Sequence, residues 1–379
     1  MQEHDLSYVR TEMINARAAP ARERGLVRWL RTNLFATPLD TVLTLIGLLF
    51  VAYFLPPVIR WALIDAVWTG PDRSVCATVA QGGIQPDGWS GACWAFVNAK
   101  FSQFMYGRYP VFERWRVDLT AFLFVALLVP LLIPRVPYKL WNAIAFFGVF
   151  PLVAFFLLVG GWFGLSYVST TLWGGLLVTM VLSFVGITVS LPMGILLALG
   201  RRSKMPVVKM ICVIFIETVR GVPLVVLLFV TVSVLPLLLG GQPIDKMWLV
   251  LTALTLHAAT SLAEVWRGGL EAVPDGQMEG ATALGLSRWN GFRLVVWPQA
   301  RRIAMPPAIG TIIGAVKDTS LVLVIGIFDM LGAAKAALAD MAWRAHALEI
   351  YLAVAAFYFV VCFALSVYAE RLRTRPYHS

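Results

Sequence analysis

EVWRGGLEAVPDGQMEGATALGLSRWNGFRLVVWPQARR, residues 264–302, is the longest polar and basic interruption in the apolar second half of this chain. Pro274-Asp275-Gly276 is a turn signal. Asp275 is placed to cap a short helix over Gln277 to Leu284, and Gly285 to end it in the left-handed conformation that side chains disfavour. Ser287 suits the N-cap of a second helix, which Pro298 is expected to stop or kink. Two short helices between apolar runs are more than a linker needs, so the stretch reads as a docking surface.

Composition sets the class. The chain has 379 residues, 59% hydrophobic and only 14% charged, more apolar surface than a soluble domain can hide. Several runs reach the roughly 20 residues that cross a bilayer. The expected fold is an all-α polytopic membrane protein of about eight transmembrane helices. The net charge of +10 lies in short patches between spans, which suits topology signals and contacts to anionic membrane lipid rather than nucleic acid.

On either side of the stretch, polar residues interrupt the spans. Upstream, span six runs from about Met247 to Trp266, with His257 near its middle. A lone His there is more often bonded to a neighbour than a ligand, so a substrate or gate role is the sharper of two readings. Downstream, Lys317-Asp318-Thr319-Ser320 interrupts span seven, about Ile303 to Ile327. Four polar residues at that depth must face protein or a wet cavity. They read as an internal Lys–Asp or helix-end pair, or as groups matching the ammonium and carboxylate of an amino acid. Residues 329–347 suggest an Ala-rich surface helix with Trp343 at the interface, before span eight, about Ala347 to Ala369.

Further upstream, span four, about Leu172 to Leu199, carries Thr179 and Ser183, which either bridge helices or line a path. The segment 206–219 is followed by Arg220-Gly221-Val222-Pro223, where the helix must break or kink. Glu217 and Arg220, three residues apart, are expected to pair on one face and hold that break; substrate contact and gating motion are the alternatives.

The N-terminal part divides into a basic cytoplasmic tail, 1–36, and three spans within 37–168. An amphipathic interfacial helix from about Ala18 to Thr32, or a solvated tail, fits the first. Span one, about Leu39 to Ile59, leads to an exported loop of about residues 60–117 that holds Cys76 and Cys93. These form either a disulfide or two free thiols; with no His nearby in sequence, zinc is not expected. Lys100, Arg108, Arg114 and Arg116 work against placing that loop outside. Span two, about Asp118 to Pro134, reads as short, and span three runs from about Leu140 to Trp162. Both termini are expected in the cytoplasm.

Glu279-Gly280-Ala281, then Gly285, then Val295-Val296-Trp297-Pro298 resemble the EAA loop of ABC importer permeases. Glu264…Arg267-Gly268-Gly269, Glu217 to Pro223 and Lys317 to Leu321 resemble the branch that takes up polar or general L-amino acids. The likeness covers roughly Leu172 to Arg371, and the extension before it looks like the longer subunit of the general L-amino-acid importers. It implies a permease core over 169–379 with a cytoplasmic coupling loop at about 267–302. The ATPase-coupling residues would be Gln277, Glu279, Gly280, Ala281 and Gly285. The substrate path or gate would draw on Thr179, Ser183, Glu217, Arg220, His257, Lys317, Asp318, Thr319 and Ser320. The resemblance also implies an inner-membrane location, an ABC ATPase dimer, a second permease in a heterodimer and a periplasmic amino-acid-binding protein. The middle residue of the triplet, Gly280, departs from the family's Ala; a helix-interior Gly costs on the order of 1 kcal/mol against Ala, so a looser coupling helix or one packed closer to its partner is expected.

No G-x-x-x-x-G-K-[ST] phosphate loop occurs, so this polypeptide is not the ATPase; ATP and Mg belong to a partner, with no cofactor in this chain. No HExxH helix or convincing catalytic set stands out, and the chain reads as a permease rather than an enzyme. The rivals are an ion-coupled secondary transporter of small polar solutes using Asp318 or His257, a membrane-embedded enzyme using Glu264, Asp318 and His257, and an export or sensing permease. The first lacks obvious two-fold repeats.

Overall fold

The structure is a computed structural model that describes residues 25–133, 136–343 and 346–373. Apolar runs without strand-like alternation fold as helices, and among the described residues only isolated β-bridges occur. In chain order the helices are α1 Gly25–Asn33, α2 Pro38–Ile64, α3 Trp94–Tyr106, α4 Arg114–Leu132 and α5 Lys139–Val159. There follow α6 Gly175–Arg201, α7 Pro206–Gly221, α8 Leu224–Leu238, α9 Lys246–Glu271 and α10 Asp275–Ala283. The last are α11 Arg288–Ile325, α12 Met330–Leu338 and α13 Ala347–Arg373. Seven are long and apolar enough to cross a membrane, and α7 with α8 makes an eighth as a pair bent by 104°. The bend falls where Pro223 forces Val222 into extended backbone, φ −102° and ψ 129°.

Two compact units are present, residues 1–66 with 88–92, and residues 67–87 with 93–379. In the first, Thr37 and Asp40 form a reciprocal cap at the start of α2. The last turn of α2 is joined to the 88–92 strip by Ala92 N–H to the Trp61 carbonyl, 2.9 Å, and Trp89 Nε1 to the Asp65 carbonyl, 2.9 Å. Most side chains of α2 are exposed and apolar, as a helix facing lipid requires. Of the interfacial helix expected over Ala18 to Thr32, only the part from Gly25 lies in the described residues.

The second unit is built on α6, α9 and α11. Small residues bring their backbones together, since apolar side chains gain little over lipid and close packing must hold the helices. A Cβ on Gly194 would meet Leu262 Cβ at 2.8 Å and the Ala259 carbonyl at 3.0 Å. One on Gly269 would meet Ala304 Cβ at 2.6 Å and the Ala300 carbonyl at 2.9 Å. With 27 residues, α6 spans about 40 Å, so its two ends carry separate structures.

At the N-terminal end of α6 sits the loop that holds Cys76 and Cys93, which are joined in a disulfide with Cα atoms 5.7 Å apart. Cys93 N–H donates to Glu349 Oε1 of α13 at 3.0 Å. His346 lies beside the sulfurs, so the lack of a neighbouring imidazole in sequence does not carry into space. The sulfurs are bonded to each other and offer no thiolate. The four basic residues that weighed against exporting this loop, Lys100, Arg108, Arg114 and Arg116, have partners. Lys100 pairs with Asp340, and Arg108 donates to the Thr171 carbonyl. Arg114 donates to Ser102 and lies over the Tyr106 ring. Arg116, only 1% exposed, pairs with Glu113 at 2.7 Å and donates to Ser166. Lys100, and next the Ala342 N–H, hold the Asp340 carboxyl below the usual range.

Several expectations are corrected. The second span is not short: with its first 3₁₀ turn it covers Val111–Leu132, because Arg114 and Arg116 have partners and need not end it. The Ala-rich segment is not a surface helix. Most of α12 is buried, and Trp343 is 4% exposed, stacked on Phe96 at 5.6 Å. Asp275 is the first residue of α10 rather than its cap, with Pro274 at the N-cap position. Pro298 neither stops nor breaks α11, because the π-helical turn Phe292–Val296 precedes it and resets the hydrogen-bond ladder.

These close approaches give a stability test. Gly194→Leu should cost on the order of 1–3 kcal/mol of packing and lower the monodisperse yield from detergent in size-exclusion chromatography. Gly47→Leu, where an added Cβ meets nothing within 4 Å, should leave the yield unchanged.

Candidate coupling surface and membrane-embedded polar site

The C-terminal end of α6 carries the second structure. Between the long helices α9 and α11, the chain folds as α10, a tight turn and the first turn of α11. Gly285 takes φ +79°, and Ser287 Oγ accepts from Asn290 N–H at 3.3 Å, so this turn follows the sequence signals. The foot has an inner and an outer face. Ala281 is buried at 4%, and a Cβ on Gly291 would meet Met278 Sδ at 2.9 Å, so these residues pack inward. Gln277, Glu279 and Gly280 are exposed, and so are Leu284 at 84% and Trp289 at 67%. Beyond its own helix, nothing among the described residues lies within 4 Å of a Cβ built on Gly280, so no packing contact there requires the glycine. Gln299 Nε2 donates to Gln277 Oε1 at 3.3 Å, which joins α10 to α11.

Beside the foot, one carboxylate collects the local cations. Glu264 of α9 accepts from Arg201 at 2.9 Å and from Arg267 at 3.0 Å, and Arg220 stands 3.9 Å away. Arg201 also pairs with Glu217 at 2.8 Å, and Arg267 with Glu271 at 2.5 Å. The expected Glu217–Arg220 pair does not form. Each instead turns to a charge brought by another helix, Glu217 to α6 and Arg220 to α9. Arg201 was legible only as a topology marker, and its bond to Glu264 joins residues 63 apart. The Glu264–Arg267–Glu271 spacing was the readable trace.

Within the long helices, the other candidate residues separate into two sets. Ser183, His257 and Asp318 line one small cavity among α6, α9 and α11. Ser183 Oγ and His257 Nδ1 are buried there without a hydrogen-bond partner. The expected Lys317–Asp318 pair is absent, Lys317 being exposed and Asp318 half-buried. The second set has its hydrogen bonds made within the protein. Thr179 Oγ1 accepts from Met330 N–H at 3.0 Å. Thr319 Oγ1 donates to the Val316 carbonyl and Ser320 Oγ to the Lys317 carbonyl, each at 2.8 Å. These last two bonds sit where α11 changes from α to 3₁₀ geometry at Thr319.

Comparison with known proteins gives the family. The family described as "Binding-protein-dependent transport system inner membrane component" matches residues 190–376. The chain is 40% identical to the inner membrane amino-acid ABC transporter permease protein YhdY of Escherichia coli, over 92% of each chain. It is 37% identical to the glutamate/glutamine/aspartate/asparagine transport system permease protein BztC of Rhodobacter capsulatus, over 98% of each. Among solved structures, an amino acid ABC transporter with histidines matches 53% of this chain and 92% of its own, at 30% identity and TM-score 0.49. Identity at this level along nearly the whole chain sets aside a gradient-driven carrier. The chain belongs to the binding-protein-dependent transport system inner membrane components, as a permease of the amino-acid ABC transporter type.

Proposed function

We propose that this chain is the longer permease subunit of an importer for polar or general L-amino acids. It works by alternating access, with ATP and Mg held on a separate ATPase dimer. The observation that carries this reading is the foot. Its inner side packs on the chain itself, while Glu279, Leu284 and Trp289 are turned outward. An exposed Leu and Trp beside a carboxylate suit a partner's groove better than water. Gln277, Glu279, Gly280, Ala281 and Gly285 form this coupling element. Closure of the ATPase dimer moves the foot, and α9 and α11 move with it through the Gly269 contact.

The foot lies on the cytoplasmic side, with both termini. The Cys76–Cys93 loop lies on the outer side, where a periplasmic amino-acid-binding protein delivers substrate. The three-span extension over 37–168 precedes a permease core over 169–379, and the core pairs with a different permease as a heterodimer. Asp318, His257 and Ser183 meet the substrate, Asp318 taking its ammonium group and Lys317 its carboxylate. Glu217 and Arg220 act in the gate through Glu264, while Thr179, Thr319 and Ser320 hold the path's walls.

Three outcomes follow for the complex reconstituted in vesicles. Glu279→Lys should abolish ATP-driven uptake while the complex stays in the membrane; normal uptake would count against the foot. Asp318→Asn should lower uptake about 10- to 100-fold, the range for losing a hydrogen bond to a charged group, with the binding protein's own affinity unchanged. Glu264→Gln should uncouple hydrolysis from uptake, so that the number of ATP consumed per substrate rises; an unchanged ratio would remove the ion cluster from the mechanism.

A further inference from the structure

Behind the foot lies a cavity of about 290 Å³ that the transport path does not use. This is close to the lower end of ligand pockets, roughly 300 Å³. Its floor is apolar and includes Val273, Met278, Phe292 and Val296. Two opposite charges stand at its edge, Arg202 at the end of α6 and Asp275 at the start of α10. Both are exposed, and neither side chain has an ion-pair or hydrogen-bond partner among the described residues. The neighbouring cations Arg201, Arg220 and Arg267 all face Glu264. Arg202 and Asp275 are therefore a separate and unneutralised pair.

An unpaired cation and anion over an apolar floor complement a zwitterion with a hydrocarbon side chain. We propose that this cavity is a regulatory site for a free α-amino acid with an aliphatic side chain. The carboxylate meets Arg202, the ammonium meets Asp275, and the side chain enters between Met278 and Phe292. Such a ligand touches the ends of α6 and α9, the start of α11 and the foot at once. It holds the foot in the position seen here and resists the motion that the ATPase demands, because a ligand shifts an equilibrium toward the state it fits better. The result is inhibition of uptake by the amino-acid pool on the foot's side of the membrane. The proposal rests on the reading of α10 as the coupling element.

Photo-leucine, a diazirine-bearing amino acid, tests it on the full complex with its ATPase. Irradiation should attach the probe to peptides within residues 270–296. Leucine should compete, and N-acetyl-leucine and leucine amide, each lacking one charge, should not. In vesicles with the foot inward, luminal leucine should lower ATP hydrolysis about fivefold or more, the lower end of allosteric coupling. Hydrolysis is read as the ratio with and without leucine, so any change in basal rate cancels. Arg202→Gln should flatten that ratio and Arg202→Lys should retain most of it. No label in 270–296, or a label on the lone permease that vanishes when the ATPase is bound, overturns the site. In the second case a partner side chain fills the cavity. A label with flat hydrolysis overturns the regulation, and Glu279→Lys then shows separately whether the coupling reading has also failed.

Discussion

The foot end of this protein depends on one carboxylate. Glu264 sits about two turns before the end of a membrane-length helix, its side chain 17% exposed, and three guanidinium groups converge on it from α6, α7 and α9. A carboxylate so placed is tolerable only if it is paired. Removing one partner of such a cluster leaves charge stranded, at a cost of about 3–5 kcal/mol for a buried pair. The broken helix α7–α8 is thereby tied to α9, the helix that leads into the foot. The break at Val222 is tied to the cluster from its N-terminal side, where Glu217 pairs with Arg201 and Arg220 stands 3.9 Å from Glu264. Close packing does the rest: Gly269 lets α9 and α11 touch backbone to side chain just beside the foot.

The polar residues inside the long helices divide by whether their bonds are already made. Thr319 and Ser320 spend their hydroxyls on their own helix, and Thr179 accepts from Met330 N–H of α12. Ser183 and His257 do not, and with Asp318 they face a cavity of about 10 Å³, room for the centre of one water. An amino acid does not fit that space. For these groups to meet a substrate, α6, α9 and α11 must separate, which is what alternation between two arrangements supplies.

What the sequence made legible was local. Gly285, Ser287 and the Val222-Pro223 break are decided by backbone preferences within a few residues, and each appears where its signal stands. What it hid was long-range. Helical spacing permits a Glu217–Arg220 pair, but a better-placed guanidinium, Arg201, arrives from another helix. His346 reaches the Cys76–Cys93 pair from the far end of the chain, and Trp343 is buried against Phe96 rather than lying at an interface. The basic residues of the long loop argued against exporting it. In space they are neutralised or bound, by Asp340, Glu113, Ser102 and the Thr171 carbonyl, so their weight as orientation signals is small.

The central claim is that force enters through the exposed face of α10, on the side of the membrane where ATP is available. The direct measurement is labelling of Gln277→Cys by a membrane-impermeant maleimide, compared with the parent chain. The account predicts no labelling in intact cells, labelling in inside-out vesicles stripped of the ATPase, and protection when the ATPase is restored. Labelling from outside intact cells, or labelling indifferent to the ATPase, would contradict it.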